Sequence, residues 1–296
     1  MKLGLDIGAT KTLGVVLDDD GAIRAEVREP TTPGPDGVVA SAGRVVDALR
    51  AATGDPLSGP IGVGIPGLVD VERGAVQHAV NLALEGEVVM LGDLLGERLG
   101  VRALIENDVN AAALGAAAFF GESDLVYLGI GTGLAAGLVL DGQLRRGVHG
   151  AAGEVGHLPV DPHGTICSCG QRGCLETIAS GSALAAAWPS GDVPPSQALF
   201  AAAQTGDAKA IQVRDDFATG VADAVRALCL TVDPATIVIG GGVAQIGEAL
   251  RVSVAQALLD QAADSPFLAS LDLAGRVRVV PADYPVAAVG AALLGK

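Results

Sequence analysis

A chain of 296 residues exceeds what one hydrophobic core serves well and suits two lobes, each with its own apolar interior. Half of the residues are hydrophobic, yet no apolar run reaches the roughly 18 to 20 that a membrane span requires; AAALGAAAFF is too short, and residues 221–232 are interrupted by Asp223 and Arg226. A net charge of −15 argues against a nucleic-acid partner, because phosphate contacts need a basic surface, and four cysteines, three of them close together, make no disulfide framework.

In chain order, residues 3–7, 13–17 and 22–27 read as three successive strands, with the turn Asp18-Asp19-Asp20-Gly21 between the second and third. Residues 36–52 have helical spacing, and 61–65 read as a buried strand ending at Pro66-Gly67. A helix over 92–99, a strand over 102–106 and an alanine-rich helix over 109–119 follow. At Leu125 the pattern restarts: LVYLGIGTGLAAGLVLDGQL repeats the plan of LGLDIGATKTLGVVLDDDGAI, strand, glycine turn, strand, Asp-Gly turn. One such unit per half predicts a duplicated α/β lobe. Near the C-terminus a strand over 236–239 runs into GGGVAQIG, with a helix expected after it. Cys229 lies near the helically spaced Val213, Phe217, Val221 and Val225, which reads as a buried core thiol.

The two matched turns carry a chemical suggestion. Glycine lets backbone N–H groups approach an anion, and Thr10, Thr132 and Lys11, one of only four lysines, add donors. A pair of ordinary hairpins is the plainer alternative, and the strand–glycine–helix order at Gly240 is a third phosphate-compatible feature. Asp108 follows Asn107 where a strand gives way to a helix; a carboxylate there serves either as part of a helix cap or as a proton acceptor. Residues 153–176, GEVGHLPVDPHGTICSCGQRGCLE, gather three cysteines and two histidines. Cys167, Cys169 and Cys174 with one imidazole suit tetrahedral zinc, and four protein ligands would make it structural. His157 and His163 are both near enough in sequence to be that imidazole, whereas His78 and His149 read as structural or surface residues. With C-x-C and C-x4-C but no C-x-x-C, the block does not suggest redox chemistry.

The motifs DIGATKT, GVGIPGLVD, ENDVNAAALG, GIGTGLAAGLVLDG, GAAGEVGH, CSCGQRGCLE and IGGGV together resemble the sugar kinases of the ROK family (repressors, open reading frames, kinases), closest in pattern to its bacterial glucokinases. The resemblance implies a two-lobed actin-like ATPase (ribonuclease H-like) α/β fold with a duplicated core and an inter-lobe cleft. Residues 1–108 and 284–296 would form the small lobe, and 109–283 the large lobe with the zinc-binding loop. It further implies transfer of the ATP γ-phosphate to the 6-hydroxyl of glucose, with Asp108 as general base.

By the same resemblance, Gly67, Asn81, Asn107, Asp108, Glu154, His157 and Glu176 hold the sugar. Asp6, Gly8, Ala9, Thr10, Lys11, Gly131, Thr132, Gly133, Gly240, Gly241 and Gly242 hold ATP with its Mg2+, and His157, Cys167, Cys169 and Cys174 hold structural Zn2+. The alternatives are a kinase of N-acetylglucosamine or N-acetylmannosamine, or a catalytically silent sugar sensor. A cytoplasmic homo-oligomer, dimer or tetramer, acting in glycolysis without nucleic-acid or membrane partners completes the expectation. Two stretches depart from the glucokinase pattern. NLALEGEVVM stands at Asn81 where Pro-Gly-Trp is usual after the asparagine, and GTGLAAG places Ala135 and Ala136 where glycines are common.

Overall fold

The computed structural model describes residues 1–57 and 59–295; Ser58 and Lys296, the last residue of the expected small lobe, lie outside them. The chain divides into two compact units. One comprises Met1–Gly121, Gly142–Ala151 and the chain from Pro285; the other comprises Glu122–Asp141 and Ala152–Tyr284.

The first unit is built on strands β1 (Lys2–Ile7), β2 (Lys11–Leu17), β3 (Ile23–Pro30) and β4 (Ile61–Ile65), a small hairpin β5 (Leu68–Asp70) and β6 (Ala75–Gln77), and β7 (Ala103–Asn107). The main sheet has the order β3-β2-β1-β4-β7. β1, β2 and β3 form an antiparallel meander, while β4 and β7 run parallel to β1. Helices α1 (Pro35–Thr53) and α2 (Leu91–Leu99) cover the apolar core, in which Leu5, Val16, Val45, Leu49, Val63, Leu95 and Ile105 are buried. α3 (Asp108–Phe120) and the C-terminal helix, Val286–Ala292, pack closely on each other. The contact depends on small residues: a Cβ on Gly115 would run into the Val286 carbonyl, and one on Gly290 into the Ala111 carbonyl. This packing holds α3, expected in the large lobe, within the first unit.

The second unit repeats the plan. β8 (Leu125–Ile130), β9 (Leu134–Leu140), β11 (Thr236–Gly240) and β12 (Val277–Val279) take the order β9-β8-β11-β12, while the two-residue β10 (Gln143–Leu144) belongs to the Gly142–Ala151 segment of the first unit. β9 is antiparallel to β8, and β11 and β12 extend the sheet in parallel, as in the first. Its helices are α4 (Glu176–Ala179), α5 (Gly181–Ala187), α6 (Pro195–Gln204), α7 (Ala208–Val232), α8 (Glu248–Ala262) and α9 (Pro266–Ser270). α7 presents Phe217, Val221, Val225 and the buried thiol of Cys229 to a core with Val126, Leu128, Ile237 and Ile239. Among the described residues, no helix is long and apolar enough to cross a membrane.

Candidate active site

Three parallel strands of the first unit, β1, β4 and β7, end side by side, and their C-terminal edge is where α/β sheets expose polar backbone to ligands. The pairing puts Asp6 beside Gly64, and Gly64 beside Glu106. Asn107 is the N-cap of α3: its carbonyl oxygen accepts from Val109 N–H at 2.9 Å and Asn110 N–H at 3.2 Å, and its amide donates to the Gly67 carbonyl at 3.2 Å. Gly67 has φ of 106°, in the left-handed region, and a Cβ there would sit 2.6 Å from the Gln77 carbonyl. Asparagine therefore supplies the N-cap, and Asp108 lies in the first turn of α3, where its Oδ1 shares the Val109 N–H with that cap. There the helix dipole favours negative charge.

The two aspartates are tuned together. Burial, then the Asp108 charge, push Asp6 up to about 7, with Lys11 pulling the other way. Burial also raises Asp108, opposed by the N–H of Val109, which donates to its Oδ1 at 3.0 Å. A carboxylate whose proton affinity is raised by burial is a stronger proton acceptor than an ordinary one. Two carboxylates that repel each other in this way also form a donor set that a divalent cation relieves.

The glycine turns divide by what surrounds them. Gly8 N–H donates to the Lys11 carbonyl at 2.9 Å, closing the first turn, with Thr10 and Lys11 exposed. In the second, the carbonyls of Gly131 and Thr132 accept from Gly181 and Ser182 N–H at 2.8 and 3.2 Å, so the start of α5 braces the turn. Thr132 is exposed at its tip. The third is only partly exposed. Gly240 is buried at the end of β11, where a Cβ would run into the Tyr127 ring, and only Gly241 and Gly242 are exposed. A 3-10 turn, Val243–Ile246, separates this glycine run from α8.

The cysteine block closes on itself in the second unit. Pro159 bridges to Cys174 and Ile166 to Arg172, while Gly170 N–H donates to the Cys167 carbonyl at 2.9 Å. Ligand atoms of His157, Cys167, Cys169 and Cys174 all lie within 4.8 Å of one another. His157 Nδ1 is 3.8 Å from Cys167 Sγ, and the sulfurs of Cys169 and Cys174 are 3.7 Å apart. A tetrahedral zinc with bonds of about 2.3 Å to sulfur and about 2.0 Å to nitrogen separates its ligands by about 3.5 to 3.8 Å, so the donor set fits that ion. His163 is exposed outside the cluster, its N–H bound to Asp161. Gln171 N–H groups hold Cys169 below the ordinary thiol range, whereas burial and the neighbouring sulfurs push Cys174 above it.

This block reaches the second turn through one side chain. Glu176 Oε1 accepts from Cys167 Sγ at 3.8 Å, and its Oε2 accepts from Leu134 N–H at 2.9 Å. Gly133 is glycine because a Cβ there would run into that same Oε2. On the other side of the ring, His157 Nε2 is 3.8 Å from the half-exposed Glu154. Glu154, His157, the three cysteines and Glu176 thus form one connected group. Asn81, by contrast, is exposed on a 3-10 turn, Val80–Leu82, and His78 and His149 are exposed as well.

Sequence reasoning gave no role to Glu106, Asn110 or Arg146. Glu106 is only 1% exposed; its Oε1 accepts from Asn107 N–H and from the Asn110 amide, each at 3.0 Å, and its Oε2 accepts from Arg146 Nε at 2.6 Å. A charged residue directly after the apolar run Ala103-Leu104-Ile105 of β7 is the one sequence signal that pointed to it.

Residues 2–295 match the model of the ROK family. The glucokinase of Thermotoga maritima is 31% identical over 279 residues, covering 87% of each chain. The N-acetylmannosamine kinase of Citrobacter koseri is 35% identical over 253 residues, 81% of this chain and 83% of its own. The crystal structure of a ROK-family glucokinase from Streptomyces griseus, in complex with glucose and AMPPNP, superposes with a TM-score of 0.81 at 30% identity, covering 99% of this chain and 98% of that one. The paired α/β sheets are those of the actin-like ATPase fold, and this chain belongs to the ROK family.

Proposed function

We propose that this chain transfers the γ-phosphate of Mg·ATP to the 6-hydroxyl of glucose, with Asp108 as the general base. That it is an ATP-dependent sugar kinase rests on the kinases it resembles over most of its length. The observation that carries the finer reading is Asp108 itself: a carboxylate in the first turn of α3, raised by burial, with Asn107 beside it taking over the cap.

Phosphoryl transfer asks little covalent chemistry of a protein; it asks for an oriented hydroxyl, a proton acceptor and neutralised phosphate charge. Asp108 takes the proton as the sugar oxygen attacks. Asn107 and the backbone at Gly67 orient the sugar, and Glu154, His157 and Glu176 accept or donate to its other hydroxyls. The exposed groups of Thr10, Lys11, Thr132, Gly241 and Gly242 meet the phosphates. Asp6 would help hold magnesium, which would supply charge neutralisation to the phosphates. His157, Cys167, Cys169 and Cys174 would hold the zinc ion, whose role would be to anchor the loop that runs from Cys174 into Glu176 and to leave His157 Nε2 for the sugar.

The second reading is an N-acetylmannosamine kinase, favoured by 35% identity to such an enzyme and by the altered, exposed stretch at Asn81. A coupled assay with Mg·ATP, comparing kcat/KM for glucose, mannose, fructose, N-acetylglucosamine and N-acetylmannosamine, separates them. Glucose is expected to lead, because an unpaired buried polar group costs about 1 to 3 kcal/mol in a pocket shaped for another sugar. Preference for an N-acetyl sugar replaces the substrate and keeps the mechanism; binding without turnover of any sugar makes the chain a sensor.

A further inference from the structure

The Glu106–Arg146 pair sits next to the proposed base and has no part in the mechanism above. A carboxylate that is 1% exposed is costly to desolvate, and an apolar residue in its place would fill a buried β7 position without that cost. What Glu106 does with its charge is specific. Oε1 takes the backbone N–H of Asn107 and the side-chain amide of Asn110, the residues one before and two after Asp108 in sequence. It thereby clamps the chain on both sides of Asp108. Oε2 is held by Arg146, forty residues further along, on the segment Gly142–Ala151 of the same unit.

We propose that Glu106 and Arg146 are positioning residues for Asp108, a reading that rests on Asp108 being the base. Arg146 acts through Glu106: its Nε aims the carboxylate so that Oε1 faces the strand-to-helix junction, and it neutralises a buried negative charge beside a second carboxylate whose ionisation matters. Arg146 itself is 39% exposed and lines a surface cavity of about 560 Å³ with Leu68, Asp70 and His149. The fold therefore does not need its side chain as core filling. Its effect should be read in turnover and not in substrate affinity, because neither residue is assigned a contact with sugar or nucleotide.

The test is steady-state kinetics of the full-length protein with Mg·ATP and its best sugar, alongside thermal melting. Arg146→Met is expected to lower kcat about 10- to 100-fold, the scale of a misplaced reacting group, while sugar KM changes by less than about threefold. The double variant Glu106→Gln/Arg146→Met is expected to recover most of the loss. Glutamine keeps an acceptor for Asn107 and Asn110 and removes the uncompensated charge. If Arg146→Met does not fold, Arg146→Lys replaces it; lysine keeps the charge, lacks the Nε donor, and is expected to lose kcat in the same direction. Wild-type kcat in a folded Arg146 variant, or a double variant no better than Arg146→Met, overturns the proposal. Asp108→Asn is measured in parallel. If it keeps full turnover, the base assignment fails; if it is inactive while Arg146 variants are fully active, only the positioning role fails.

Discussion

Gly133→Ala perturbs the join between the cysteine block and the second glycine turn by a single methyl group. The added carbon would occupy the place of Glu176 Oε2, the end of a flexible side chain, so the carboxylate swings away and the steric cost itself is small. What is lost is the 2.9 Å bond from Leu134 N–H, a donor on a residue only 2% exposed. A hydrogen bond to a charged group contributes about 1.5 to 3 kcal/mol. At about 2 to 4 °C per kcal/mol for a domain of this size, Tm should fall by about 3 to 12 °C. Sugar affinity should weaken with it, since Glu176 leaves its position. Gly131→Ala is the control, because a Cβ there meets nothing within 4 Å, and its Tm should stay within about 1 °C of the parent. Melting by circular dichroism and sugar titration by calorimetry read both effects. Equal melting of the two variants would refute the argument that Glu176 latches the turn.

Metal analysis of the purified protein should give one zinc per chain, and Cys169→Ser should lose zinc and sugar affinity together, because the ligands and Glu176 share one loop; full sugar affinity without metal would separate them. Asp6 makes a pH prediction. Its pKa rises from 3.8 to about 7 on folding, so the folded state holds the extra proton between those values and stability falls as pH rises from about 4 to about 7. Asp6→Asn should flatten that part of the Tm–pH curve of the nucleotide-free protein, and an unchanged slope would remove Asp6 as its source.

The repeated meanders were legible because strand, glycine turn and strand recur with similar spacing in both halves, and the first parallel strand, Ile61–Ile65, was expected with its observed bounds. β5 and β6 were not: three-residue strands are too short to show a two-residue period. The cysteine block could be read from spacing, which left His157 and His163 both open; the family resemblance pointed to His157, and the structure turns His157 Nδ1 toward Cys167. Glycine runs were the least transparent. Gly240 looks like part of a phosphate loop, yet its lack of a side chain also seats the Tyr127 ring, while Gly133 answers to a carboxylate forty-three positions later. The Glu106–Arg146 pair was invisible for the same reason, since nothing local in either segment names its partner.

The central claim is that Asp108 accepts the sugar proton, and Asp108→Asn tests it with shape and α3 packing preserved. Turnover with saturating Mg·ATP and the sugar dissociation constant should be measured on the same preparation. The account predicts a loss in kcat of about 10²- to 10⁴-fold, the range for removing a general base, with sugar affinity essentially unchanged. Wild-type turnover would contradict it and leave Asp108 as no more than a favourable charge in the first turn of a helix.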